Sequence, residues 1–193
     1  MIDLNKFIDK ISHKKGKDEE EAEKADCKGY LLDYPDGVAK ALDFRTHELS
    51  YVDYFWLCND SSKYSYTLIE LSDIKDKLVQ ATEETKEILD TKQCKGEKKE
   101  NIKMVWLPLV CEMKLKTQGS RVVIERLHHN LGHSKLNYDC EFVVVAKNLD
   151  DPIILNRFND RLKELEERLN GMISTKVCMT QHLCRFKKGC QPQ

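Results

Sequence analysis

Tyr51-Val52-Asp53-Tyr54-Phe55-Trp56-Leu57-Cys58 is followed by Asn59-Asp60-Ser61-Ser62 and then, after Lys63, by Tyr64-Ser65-Tyr66-Thr67-Leu68-Ile69-Glu70-Leu71. The outer blocks are aromatic and β-branched, which suits a pleated, half-buried surface. The four residues between them are turn formers. The stretch therefore predicts a β-hairpin, with one acid early in its first strand and another late in its second.

Outward from the hairpin, Gly37 to Phe44 reads as a preceding strand. Asp73 to about Asp90 reads as a helix, with Ile74, Leu78, Ala81 and Ile88 towards the core. In Val105–Leu115, Val105, Leu107, Leu109, Cys111, Met113 and Leu115 alternate with more polar residues, which predicts a strand. Gln118-Gly119 then turns the chain into Arg121–Leu127, making a second hairpin. Cys140 to Ala146 is almost entirely apolar and reads as a central strand. For the last helix, Asp150 or Asp151 is the cap and Pro152 fits the first turn. Leu155, Phe158, Leu162, Leu165 and Leu169 form its seam, and Gly171 ends it. Leu4, Phe7, Ile8 and Ile11 recur at helical spacing and predict an opening helix. The sum is one α/β domain over residues 1–171, a central mixed β-sheet flanked by helices, followed by a basic Cys/His-containing tail over 172–193.

At 193 residues the chain is long enough to bury a core without disulfides. Its 40% hydrophobic and 34% charged residues exclude a disordered or low-complexity polymer. A net charge of -1 provides no global field towards nucleic acid or anionic lipid. Locally the charges separate. Asp18 to Asp26 is acidic, while Lys92, Lys95, Lys98, Lys99 and Lys103 make a basic loop. The tail from Lys176 has Arg185, Lys187 and Lys188 and no acid. The N-terminal residues lack an apolar signal core, and the longest apolar runs are too short to span a bilayer. These features predict a cytoplasmic protein without a membrane partner, whose eight cysteines are reduced thiols. Cys58, Cys111 and Cys140 fall in strand-like segments and read as small hydrophobes.

Asp53 in Val-Asp-Tyr-Phe-Trp and Glu70 in Leu-Ile-Glu-Leu-Ser-Asp stand on neighbouring predicted strands. With the order helix, three strands, helix, strand, this pattern resembles the PD-(D/E)xK superfamily of restriction-endonuclease-like proteins, over roughly Met1 to Lys116. The resemblance implies that Asp53 and Glu70 hold Mg²⁺ or Mn²⁺ beside a scissile phosphodiester. It also implies a lysine two residues beyond the second acid, on the same strand face, to orient or help deprotonate water. That position is Ser72. Lys75 or Lys77 in the next helix is the candidate replacement, and Ser72 itself reads as a cap for the helix starting at Asp73. A structural reading stands beside the catalytic one: Asp53 at a sheet edge facing solvent, and Glu70 as a buried carboxylate needing a cation or donors.

Three further constellations bear on chemistry. Glu112-Met113-Lys114 also spells acid-x-lysine, and Lys114 is an alternative base with Glu70 as the partner acid. His128, His129 and His133 crowd one predicted loop, where zinc binding or acid–base work competes with an ordinary hairpin turn. Cys178, His182, Cys184 and Cys190 put four soft ligands in the tail as a candidate structural Zn²⁺ set, although without a paired Cys-x-x-Cys spacing. Two functions follow. One is a nuclease-like protein that hydrolyses phosphodiesters or, in degenerate form, binds nucleic acid. The other is a non-catalytic protein-binding module, such as an inhibitor, immunity or defence-related accessory factor.

Overall fold

The computed structural model describes residues 2–13, 22–33, 35–44, 49–60, 63–133, 138–147, 151–169, 173–185 and 192. Six strands form one sheet in the order of the chain: β1 (Ile8–Ser12), β2 (Lys24–Leu31), β3 (Tyr54–Asp60), β4 (Lys63–Ser72), β5 (Tyr138–Ala146) and β6 (Ser174–Met179). Pairing is antiparallel from β1 to β4 and parallel from β4 through β5 to β6. Parallel neighbours need long crossovers. Helices α2 (Lys75–Asp90) and α3 (Lys95–Asn130) make the first crossover, and α4 (Pro152–Arg168) makes the second. Short helices α1 (Val38–Ala41) and α5 (Thr180–Leu183) complete the set.

Residue alternation divides the apolar core between the two sheet faces. Phe55, Tyr66, Leu68, Phe142 and Val144 turn towards α2, α3 and α4 and join the larger core cluster. Tyr54, Trp56, Ile69, Val143 and Val145 turn the other way, into a smaller cluster with Ile11, Cys27 and Leu183. From Cys140 to Ala146, β5 is buried on both faces, which is why its sequence from Phe142 to Ala146 is a continuous apolar run. The β3–β4 hairpin forms as the sequence predicts, with Tyr54 opposite Ile69. Helix α4 is capped by Asp151, whose carboxylate accepts from the Ile153 N–H at 2.8 Å.

Other segments differ from the expectation. Residues 95–130 are one 36-residue helix, not a lysine-rich loop followed by a hairpin. Its buried positions include Trp106, Leu109, Val110, Met113, Thr117, Ser120, Ile124 and Leu127, a helical period overlaid by the alternation at 105–115. The N-terminal helix is replaced by a 3-10 turn at Leu4–Phe7 that leads directly into β1. Gly37–Phe44 contains α1, not a strand, and turns through Asp43 at φ 63. Within the stretch read as a tail, Ser174–Met179 is β6 and pairs with β5. The acidic run reaching Asp26 runs into β2, while residues 14–21 lie outside the described residues, as does Gly171. Cys27 and Cys184 are joined by a disulfide and Cys58 is likewise disulfide-bonded, so the reading of every cysteine as a reduced thiol is corrected for these residues. Cys94, Cys111, Cys140 and Cys178 are not in disulfides. Among the described residues, no helix is long and apolar enough to cross a membrane.

Candidate functional site

The two acids meet because of the hairpin register. Tyr54 pairs with Ile69, so the next step places Asp53 opposite Glu70, just where β3 begins. Leu68, Glu70 and Ser72 share one face by strand alternation, the face covered by the long helices. Asp53 is fixed at both ends. Its backbone carbonyl accepts from the Leu32 N–H at 2.9 Å, and its Oδ2 accepts from the Leu71 N–H at 2.9 Å. The expectation of a solvent-facing Asp53 is therefore corrected: it is half-buried and braces the strand that carries Glu70.

Glu70 is 1% exposed. Its Oε1 accepts from the ammonium of Lys116, on α3, in an ion pair. Its Oε2 is buried and has no hydrogen-bond partner among the described residues. Burial first, then the Asp53 carboxylate, push the Glu70 carboxyl from 4.5 up to about 8, with Lys116 opposing and Glu112 adding to the rise. For Lys116, burial alone favours the neutral amine. Attraction to Glu70, the hydrogen bond and the nearby Asp53 and Glu112 outweigh it, and the ammonium is held above its ordinary value. The two shifts pull differently on the shared proton, since the lysine's rise presupposes an anionic partner. Burial decides for Glu70, which faces no solvent, so its upward direction governs the pair.

Helix α3 places Lys116 through its packing. A Cβ added at Gly119 would lie 2.1 Å from the Ser50 carbonyl oxygen, so only glycine lets the helix lie this close to residues 49–52. One residue on, the Ser120 hydroxyl accepts from the Val52 N–H at 2.8 Å. Ser120, Lys116 and Glu112 are spaced by four and share one helix stripe. That stripe therefore meets Val52 beside Asp53, then Glu70, then Lys77 of α2, which pairs with Glu112 at 3.1 Å. The helix is anchored beyond the site as well. The Trp106 indole donates to the Thr85 hydroxyl at 3.0 Å, and the Tyr66 hydroxyl meets His128 Nδ1 at 3.0 Å.

Of the sequence candidates, Asp53 and Glu70 are brought together, and the structure adds Lys116. Lys75 opens α2 at an exposed position, and the lysine that meets Glu70 is Lys116. Lys77 and Lys114 are likewise not that lysine; Glu112-Met113-Lys114 lies within α3, with Met113 buried and Glu112 turned to Lys77. Ser72 does not cap α2: it ends β4 and is buried, and α2 starts three residues later behind Ile74. Lys116 was missed because the residue sits 46 positions from Glu70. The readable signal was the spacing of Glu112, Lys116 and Ser120, once 95–130 is taken as a helix.

The histidines are not in a hairpin loop. His128 and His129 end α3, and buried His128 packs against Tyr64, Tyr66, Tyr138 and His133. In the tail set, Cys184 is bonded to Cys27, and Cys178 is a buried free thiol on β6 that burial pushes up to about 12. His182 lies in α5, and Cys190 is outside the described residues. Among the described residues, no group of three or more His, Cys, Asp or Glu stands ready to hold a metal ion. Away from the acid pair, Lys95, Lys98, Lys99 and Lys103 form a cleft of about 680 Å³ with Arg161 and Arg168, interrupted by Glu164 and Glu167.

Comparison with protein-family models, with curated proteins and with solved structures finds no match to this chain.

Proposed function

We propose that the chain is a nuclease-like protein of the PD-(D/E)xK type that acts on nucleic-acid phosphodiesters, with its lysine carried by α3. The observation that carries this reading is the Glu70–Lys116 pair with the orphaned Glu70 Oε2. A carboxylate oxygen buried without a donor is costly unless it is protonated or meets a cation. Asp53 and Glu70 fit a hard divalent ion, which when bound supplies charge neutralisation for the phosphodiester and activates water. The chain's own residues set the rest. Lys116 stays protonated, so it acts as a fixed positive charge and hydrogen-bond donor beside the acids, not as a base. Glu70, pushed up to about 8, holds a proton near neutrality and must release it to become a ligand. Cation affinity is therefore expected to rise with pH through this range.

Nucleic acid as the partner is supported by the basic start of α3. Lys95 lies 21 residues before Lys116, about 31 Å along a helix. This spacing suits a second backbone contact on a long substrate. The second reading, a non-catalytic binding module, is favoured by the Asp53 side chain, which already serves the Leu71 N–H.

The test incubates plasmid DNA and RNA with the protein and Mg²⁺ or Mn²⁺, beside Asp53→Ala/Glu70→Ala and Lys116→Ala. The expected result is metal-dependent cleavage, lost at least a hundredfold in both variants. Cleavage untouched by the substitutions removes this site from consideration. No cleavage, with no metal-dependent rise in Tm, favours the binding module.

A further inference from the structure

Helix α3 buries one face and presents the opposite one to solvent. At about 100° per residue, buried Trp106, Met113, Thr117 and Ile124 lie roughly 180–220° around the helix from Met104. Met104, Pro108, Cys111, Leu115, Gln118 and Val122 follow one another at spacings that alternate between four and three, so they fall within about 40° of a single line. All six are exposed. Met104, Leu115 and Val122 are 57%, 59% and 44% exposed. The outer face of a surface helix is ordinarily polar. Here Gln118 alone of the six is polar, and the 3-4 spacing is that of a seam against which a second helix packs.

The ends of the line identify that helix by charge. Towards its N-terminus the line continues through Glu97 and Glu100, and towards its C-terminus through Arg126 and His129. We propose that α3 is the interface of a homodimer, in which a second copy of this chain lays its own α3 antiparallel along the Met104–Val122 line. A two-fold axis level with Met113 then layers Met104 with Val122, Pro108 with Gln118 and Cys111 with Leu115, each combination occurring twice. The same axis layers Glu100 with Arg126 and Glu97 with His129, so opposite charges meet at both ends, whereas a parallel copy sets like on like. On one flank the Glu100–Lys103 pair comes level with the Arg121–Glu125 pair of the second copy. Pro108 has no N–H to offer the Met104 carbonyl, and the carboxamide of Gln118, layered with Pro108, carries donors for it. Glu112 and Lys114 come level with their own copies, but at the flanks: Glu112 keeps Lys77 at 3.1 Å, and the Lys114 stem reaches into water. From Glu97 to His129 the strip is about 48 Å long and about 10 Å wide, roughly 1,000 Å² over both copies, the lower end for a specific interface. The dimer is therefore a reversible one. The inference does not rest on the acid pair, which lies beneath the opposite side of α3.

Sedimentation equilibrium of the full chain, from about 1 to 500 µM, is expected to give a monomer–dimer equilibrium with a Kd of about 10–100 µM. Leu115→Glu, at an exposed position near the two-fold axis, should weaken it at least about tenfold while Tm stays within about 2 °C of the parent. Glu100→Arg and Arg126→Glu should each weaken it about fivefold, and the double reversal should restore it to within about twofold. Arg126 also stacks on Phe44, so its variants are compared with the parent in Tm as well. A chain that stays monomeric up to about 500 µM overturns the proposal in favour of a helix from a different protein. A dimer that Leu115→Glu leaves intact overturns it too, and a double reversal that fails to restore association while Tm is unchanged overturns the antiparallel pairing.

Discussion

Replacing Lys116 with methionine keeps the aliphatic stem that packs along α3 and deletes the ammonium on Glu70. What this costs depends on the charge of Glu70. At pH 6 the Glu70 carboxyl, pushed up to about 8, is neutral. The variant then loses one hydrogen bond, worth about 1 kcal/mol. At pH 9 the native pair is ionised, while the variant must either bury an unpaired carboxylate or keep its proton. Keeping it costs about 1.4 kcal/mol for each pH unit above 8. The expected total at pH 9 is therefore about 2–3 kcal/mol, or roughly 4–12 °C in Tm for a domain of this size. Urea unfolding at pH 6 and pH 9, with the m-value checked for constancy, measures both. An equal loss at the two pH values, or a larger one at pH 6, refutes the reasoning, because either result means that burial does not hold Glu70 neutral near pH 7. A cycle with Glu70→Gln isolates the pair: beside glutamine, Lys116→Met should cost the same at both pH values.

Other perturbations read different parts of the same arrangement. Because the Glu70 pKa is raised on folding, from 4.5 to about 8, its contribution is fully present below 4.5 and is lost as pH rises through 8. Glu70→Gln should therefore remove a decline of about 1.4 kcal/mol per pH unit across that window, read from unfolding free energies; an unchanged slope contradicts the assignment. Gly119→Ala forces α3 away from the Ser50 carbonyl and should cost about 2–3 kcal/mol by denaturant unfolding, with any metal-dependent activity falling further as Lys116 moves from Glu70. Ser120→Ala leaves the Val52 N–H without its acceptor and should cost about 1–3 kcal/mol, far more than the same change at an exposed serine. Asp151→Ala removes the cap of α4 and should lower stability by about 1 kcal/mol while leaving the acid pair unaffected, as chemical denaturation and metal titration together would show.

Local chemistry was enough to determine the β3–β4 hairpin, β5, α2 and α4. Each has a period, a cap or a turn cluster that forms mainly among near neighbours. The hairpin also determined that Asp53 and Glu70 meet, because antiparallel register follows from a short turn. Helix α3 was hidden because Pro108 and Gly119 look like breaks, and because the stretch before Gly119 also alternates with period two. In the fold, Gly119 is the residue that lets α3 approach residues 49–52, a role that exists only once the other segment is in place. β2 was hidden behind an acidic run, and β6 in a stretch without apolar periodicity; pairing with existing neighbours makes them strands. Lys116 opposite Glu70 and the Cys27–Cys184 disulfide belong to tertiary structure for the same reason. A strand fixes which residues two positions apart share a face, but only packing decides which side chain from 46 or 157 residues away arrives opposite them.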